Sequence, residues 1–256
     1  MYFDSHAHLG DKKFDLDRDK MIQRAREKQV SLILNPGAEM SSSRNAVRLA
    51  DTYPEVYAAV GIHPHDAKNM KDGDLKELEE LSRHPKVKAI GEIGLDFHYD
   101  FSPRDIQRKC FKEQLELAKK LELPVIIHDR EAHGEVFEIL EEADIAETGC
   151  VMHCYSGSAE MAMEYVKRGI YISLAGPITF KNARKAREVA QQVPLEWLFI
   201  ETDCPYLAPV PHRGKRNEPA LVPFVAEAIA KEKGISVEEV AQQTMENAKN
   251  FFGIQE

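Results

Sequence analysis

The chain has 256 residues, a formal charge of −9, and 43% hydrophobic against 30% charged residues. That length suits one α/β barrel, which takes roughly 250 residues. No stretch approaches the ~20 apolar residues of a membrane span, and no basic, then apolar, then small-residue pattern opens the chain. The expectation is therefore a cytoplasmic protein with no membrane contact, and the acidic balance argues against coating of nucleic acid by the whole surface.

Short apolar runs alternate with charged, amphipathic stretches from end to end. The runs are Tyr2–Asp4, Ser31–Asn35, Val56–Ile62, Val87–Ile93, Val125–His128, Cys150–Cys154, Ile170–Leu174 and Leu198–Thr202. Apolar spacing predicts helices over Asp17–Gln29, Ser41–Thr52, Asp74–Leu81, Asp105–Leu121, His133–Ala143, Ala159–Lys167, Asn182–Gln192, Pro219–Lys231 and Ser236–Phe252. Ser236 with Glu239 reads as a capping box for the last of them. Eight strand–helix units imply a parallel sheet able to close as a (β/α)8 TIM barrel. An open doubly wound sheet is the competitor, but no Gly-rich strand-to-helix turn of the dinucleotide or P-loop type supports it. No linker or composition shift divides the chain, so residues 1–256 are expected to form one domain.

In such a barrel, chemistry sits on the carboxyl ends of the strands and in the loops after them. The first run ends in His6 and His8, two apart and so expected on one face of a strand. The third ends in Gly61-Ile62-His63-Pro64-His65, and the fourth carries Glu92 and Asp96. The fifth ends in His128-Asp129-Arg130, the sixth in His153-Cys154, and the eighth in Glu201-Thr202-Asp203-Cys204. Six of the ten histidines thus fall at strand ends. Burying so many polar groups without partners is costly, and a metal centre supplies the partner.

His6, His8, Glu92, His128, His153 and Asp203 are too many ligands for one four-coordinate zinc that keeps an open position. They suit two divalent ions roughly 3.5–4 Å apart, with Glu92 as the bridging carboxylate and Asp203 as the group that takes a proton from water. Nitrogen and oxygen ligands without thiolate are compatible with zinc, manganese or magnesium. The cysteines Cys110, Cys150, Cys154 and Cys204 form no Cys-x-x-Cys pair and read as core thiols rather than disulfides. A catalytic thiol at Cys204 is the lesser alternative.

The remaining polar residues point to the substrate. Arg130 stands two residues after a proposed ligand. Arg213, Lys215 and Arg216 occupy a Gly-containing loop ahead of a helix start at Pro219, a plausible grip for phosphate. His63, His65 and, less strongly, His98 are candidates for substrate contact or leaving-group protonation. His84 and His133 fall in helical contexts and read as structural or exposed, and Trp197 as core.

Several of these segments resemble the signatures of the TatD-type metal-dependent hydrolases of the amidohydrolase superfamily. They are Asp4-Ser5-His6-Ala7-His8-Leu9, Gly61-Ile62-His63-Pro64-His65, Gly91-Glu92-Ile93-Gly94-Leu95-Asp96, Glu201-Thr202-Asp203-Cys204-Pro205 and His212-Arg213-Gly214-Lys215-Arg216-Asn217-Glu218-Pro219. Gly176-Pro177 and Glu246-Asn247-Ala248 also match, so the resemblance covers nearly the whole chain. It implies a TIM barrel with His6, His8 and Asp203 at one metal, His128 and His153 at the other, and Glu92 shared. The implied activity is a metal-dependent deoxyribonuclease, a 3′–5′ exonuclease acting on single-stranded DNA ends, with no obligate protein partner. The alternative keeps the metal site but changes the bond, to an ester, amide or phosphotriester of a small substrate.

Overall fold

The protein is described from a computed structural model, which covers residues 1–255. Strands β1 (Tyr2–Asp4), β2 (Val30–Pro36), β3 (Val56–Val60), β4 (Val87–Asp96), β5 (Val125–Arg130), β6 (Cys150–Met152), β7 (Ile170–Leu174) and β8 (Leu198–Ile200) follow one another in chain order in a parallel sheet. Between them run helices α1 (Arg18–Glu27), α2 (Met40–Thr52), α3 (Asp74–Leu81), α4 (Arg104–Leu121), α5 (His133–Ala143), α6 (Ala159–Lys167) and α7 (Arg184–Gln192), with α8 (Val222–Lys233) and α9 (Val237–Phe251) after β8. This alternation of eight parallel strands with helices is the (β/α)8 pattern.

The chain divides into two compact units, residues 36–153 and residues 1–35 with 154–256. In the first, β3, β4, β5 and β6 pair in parallel, with Ala58 opposite Val87, Gly94 opposite His128 and Val125 opposite Cys150. Every side chain of β4 but one is buried, as expected for a parallel strand covered on both faces. Gly94 is needed here for space: its φ is 144°, and a Cβ would lie 1.9 Å from the His128 carbonyl oxygen.

Helix α4 buries Gln107, Cys110, Phe111, Gln114, Leu115, Leu117 and Ala118, one stripe at helical spacing. The two glutamines on that stripe are not packing errors. Gln114 accepts from Ile62 N at 2.7 Å and donates to Ile62 O at 3.0 Å. Gln107 accepts from Asp96 N at 2.9 Å and donates to the Asp96 and Ser102 carbonyls. The helix thereby supplies hydrogen bonds to backbone at the end of β4 and beyond the end of β3, where a buried amide would otherwise lack a partner.

In the second unit β1 pairs with β2 and β7 with β8. Helix α9 starts at Ser236, whose side chain accepts from Glu239 N. Its far end brings Phe251 and Phe252 onto Phe199 of β8, with ring centroids 5.3 and 6.0 Å apart, and Phe252 onto Phe3 of β1 at 5.8 Å. Trp197 precedes β8 in a short 3-10 turn and packs on Tyr171 at 4.7 Å. Phe3 and Phe199 are fully buried, and burying an aromatic ring of this size contributes about 2–3 kcal/mol.

Candidate metal centre

Strand β1 ends at Asp4, so His6 and His8 lie beyond it rather than on a regular strand as the two-residue spacing suggests. The extension is held by backbone bonds from Ala7 N to Leu34 O and from His8 N to Cys204 O. The two imidazoles still converge: their Nε2 atoms are 3.2 Å apart with ring planes at 79°. Asp203, likewise past the end of its strand, places Oδ1 3.9 Å from His6 Nε2 and 3.5 Å from His8 Nε2. The ligand atoms of these three residues all lie within 4.8 Å of one another.

Buried polar groups align the two segments. Asp4 accepts from Thr202 N at 2.8 Å and Thr202 Oγ1 at 2.6 Å. Burial pushes the Asp4 carboxyl up to about 8, against the lowering effect of those two bonds. Asp203 N donates to His6 O, fixing the carboxylate beside the histidine pair. Glu201 accepts from Ser173 Oγ at 2.6 Å and Cys154 N at 2.8 Å, and Asn217 donates to Thr202 O and Tyr206 O. Asp4, Thr202, Glu201 and Asn217 hold the site together without joining the ligand set that sequence reasoning selects. Their one sequence signal is that buried-type positions carry polar residues beside the proposed ligands.

The unit formed by residues 36–153 carries a second cluster. Glu92, 3% exposed, stands at its centre. Its Oε1 lies 2.8 Å from His128 Nδ1, 3.0 Å from His153 Nε2 and 3.3 Å from His63 Nε2. Asp96 Oδ2 accepts from His65 Nε2 at 2.8 Å and His128 Nε2 at 3.2 Å. Burial pushes the Asp96 carboxyl up, but bonds from His128, Tyr99 N and His65 outweigh it and hold the group well below the usual carboxylate range.

An ionised Asp96 accepts from His128 Nε2. Burial lowers the His128 pKa, but the bonds to Asp96 and Glu92 outweigh it and raise that pKa, so a proton on Nδ1 faces the Glu92 oxygen at 2.8 Å. A divalent ion would take the place of that proton between Nδ1 and the carboxylate. The donor set therefore fits a divalent ion, with Asp96 as the carboxylate that orients a ligand histidine. His63 is different. Its Nδ1 accepts from the backbone N–H of His65 at 3.1 Å, which leaves the proton on Nε2, pointing at Glu92. Burial pushes its pKa down to about 4, so it stays neutral and acts as a donor to Glu92.

The residues expected to touch substrate divide into three groups. His63 and His65 lie in the ligand cluster itself, one a donor to Glu92 and the other tied to Asp96. Arg130 is exposed with its guanidinium 5.0 Å from the Tyr99 ring, Arg213 is exposed over Phe180 at 4.3 Å, and Lys215 is exposed. Arg216 does not fit the expectation of a phosphate contact. It donates to both Asp17 oxygens at 2.7 Å and to Lys13 O at 2.6 Å, and covers the Phe14 ring at 4.8 Å. Its fork is already filled by a carboxylate, the same geometry that a phosphate would need. His98, His84 and His133 pair with Glu131, Asp51 and Asp129, which accounts for them structurally. Cys204 is fully buried and burial pushes its thiol well above the usual value, which removes it as a nucleophile.

Residues 3–253 match the family model described as TatD related DNase. The metal-dependent hydrolase YabD of Bacillus subtilis is 48% identical over 99% of this chain and 100% of its own length. The 3′-5′ ssDNA/RNA exonuclease TatD of Escherichia fergusonii is 37% identical over 98% of this chain and 99% of its own. The crystal structure of YjjV, a TatD homologue from Escherichia coli, superimposes with a TM-score of 0.94 at 33% identity, covering 99% of this chain and 98% of that one. A whole-chain match in sequence and fold places this chain in the TatD family of metal-dependent hydrolases.

Proposed function

We propose that this hydrolase cleaves phosphodiester bonds of single-stranded nucleic acid from a 3′ end, with DNA as its substrate. The observation that carries the reading is a pair of donor clusters without a thiolate: His6, His8 and Asp203, whose ligand atoms lie within 4.8 Å of one another, and Glu92, whose Oε1 lies 2.8 Å from His128 Nδ1 and 3.0 Å from His153 Nε2. Relatives named 3′-5′ ssDNA/RNA exonucleases at 35–37% identity support the substrate class. On this reading residues 1–256 work as one domain, in the cytoplasm, where the free cysteines stay reduced.

Each cluster would hold one divalent ion of zinc, manganese or magnesium type. Such ions lower the pKa of water and stabilise charge on phosphoryl oxygens. The chain's own residues do the rest. Asp203, with 14% of its side chain exposed, is open to water and accepts a proton at its carboxylate. Glu92 turns its carboxylate toward three imidazole nitrogens, and His63 steadies it by donating from Nε2. Arg130, Arg213 and Lys215 present exposed cations for phosphate oxygens. Because the whole chain is acidic, these cations act locally and not as a general polyanion surface.

The test is to incubate metal-loaded protein with end-labelled single- and double-stranded oligonucleotides. A ladder shortening from the 3′ end is the expected result. Glu92→Ala and Asp203→Ala should each abolish most of it while the far-UV spectrum stays native. Digestion by either variant at the wild-type rate would sink the mechanism, and intact oligonucleotides with turnover of a small ester would sink the substrate.

A further inference from the structure

The loop after β4 exposes two aromatic rings that the metal chemistry does not use. Tyr99 is 47% and Phe101 55% exposed, an unusual cost for rings of this size unless something covers them. They are nearly parallel, with centroids 5.2 Å apart and planes at 26°. The Arg130 guanidinium lies over Tyr99. His65 meets both rings steeply, at 89° and 66°, and stacks on neither.

The rings are held firmly. Asp96 Oδ1 accepts from His98 N at 3.0 Å and from Tyr99 N at 2.8 Å. Ser102, fully buried, donates to His65 O and accepts from Lys68 N, while Gln107 donates to Ser102 O. The same Asp96 carboxylate holds His65 and His128 through its other oxygen. One buried group therefore ties the aromatic loop and the ligand histidines to a common frame. Of the nearby exposed acids, Asp100 is paired with Arg104, and the Glu131 carboxylate is hydrogen-bonded to the His98 ring.

We infer that Tyr99 and Phe101, flanked by Arg130, form a stacking subsite for an unpaired base of a single-stranded nucleic acid. This rests on the nuclease reading and sharpens it. Rigid aromatic faces beside an arginine suit nucleobases, because every base has a π-face and the adjoining phosphate meets the guanidinium. Such a subsite tolerates any base but needs it unpaired, since a base inside a duplex is already stacked on both sides. Preference for single strands then comes from the protein surface rather than from the reacting groups.

Binding can be read apart from cleavage with short phosphorothioate oligonucleotides, either intact or abasic near the 3′ end, against metal-loaded protein by fluorescence anisotropy. Wild type should bind the intact strand at least about tenfold more tightly than the abasic one. The Tyr99→Ala/Phe101→Ala double variant should lose that ratio. Tyr99→Leu/Phe101→Leu keeps apolar area without a π-face and should lose most of it too. Both substituted positions are exposed, so both variants should fold, which melting curves would check. The subsite is overturned if wild type does not distinguish the two strands, or if the alanine variant distinguishes them as well as wild type does. Failure of the nuclease reading shows separately, as intact ordinary oligonucleotides in the wild-type cleavage assay.

Discussion

Replacing Arg216 by Ala separates a structural cation from a substrate-binding one. The side chain makes two 2.7 Å bonds to Asp17 and one of 2.6 Å to Lys13 O. With Arg216 31% and Asp17 26% exposed, the ion pair is screened and contributes toward the top of the ~0–1 kcal/mol range, because its geometry is bidentate. The cation over Phe14 adds about 0.5 kcal/mol, and the carbonyl bond a similar amount after discounting for exposure. Asp17 keeps Arg24, so no charge is stranded. The loss should be about 2 kcal/mol, or roughly 4–8 °C in Tm for a chain of this size.

The Arg216 effect also has a pH signature. Hydrogen bonds from Arg216 and then Arg24 hold Asp17 down at about 2, from an ordinary 3.8. A depressed carboxyl stabilises the fold above its unfolded pKa and loses that contribution as pH falls through the folded one. The stability gap between wild type and Arg216→Ala should therefore be full above 3.8 and shrink toward about 2. Urea unfolding at stepped pH measures the gap, and oligonucleotide hydrolysis at neutral pH measures function. Hydrolysis should stay within about threefold of wild type, whereas Lys215→Ala should raise KM by about tenfold, the scale of one charge-assisted phosphate contact. A tenfold loss of kcat/KM in Arg216→Ala with an unmoved Tm would refute the structural assignment.

Glu201→Gln should cost about 1 kcal/mol and Glu201→Ala about 3 kcal/mol by urea midpoint, since Cys154 N and Ser173 Oγ lose a buried acceptor; equal midpoints would remove Glu201 from the frame. Adding zinc or manganese to chelator-stripped protein at about 100 times Kd should stabilise it by about 2.7 kcal/mol per site. Glu92→Gln and Asp203→Asn should each forfeit one share of that gain, and an unchanged metal response in both would contradict the two clusters. A thiol reagent should leave Cys110, Cys150 and Cys204 unlabelled in the native state, because all three are buried. Rapid labelling of Cys204, with loss of activity, would reopen the catalytic thiol.

Much of the fold is legible in the sequence because each strand and helix announces itself by local periodicity. The spans Asp74–Leu81, His133–Ala143 and Ala159–Lys167 coincide with α3, α5 and α6, and Ile170–Leu174 with β7. Strand ends are less legible. Strands β1, β3, β6 and β8 stop one or more residues before His6, His63, His153 and Asp203. These residues lie past the regular ladder and are held by single bonds, such as Asp203 N to His6 O, between residues far apart in sequence. Periodicity reports side-chain direction, not which carbonyl a distant amide will find.

The six proposed ligands could be chosen from residue type alone, because few other chemistries account for so many histidines and carboxylates at strand ends. Their roles within a cluster could not. His63 and His128 look alike in sequence, yet one has its Nδ1 blocked by a backbone N–H and the other has its Nε2 taken by Asp96. Arg216 and Lys215 are adjacent, yet only Arg216 has Asp17 within reach. Residue type and periodicity set the family, the alternation of elements and the ligand inventory. Proton placement, the difference between a cation that grips a carboxylate and one that faces solvent, and the paired rings at Tyr99 and Phe101 depend on distances between residues the chain brings together only when folded. A hydrogen bond or stacked pair is decided over a fraction of an ångström, and no one-dimensional pattern encodes it.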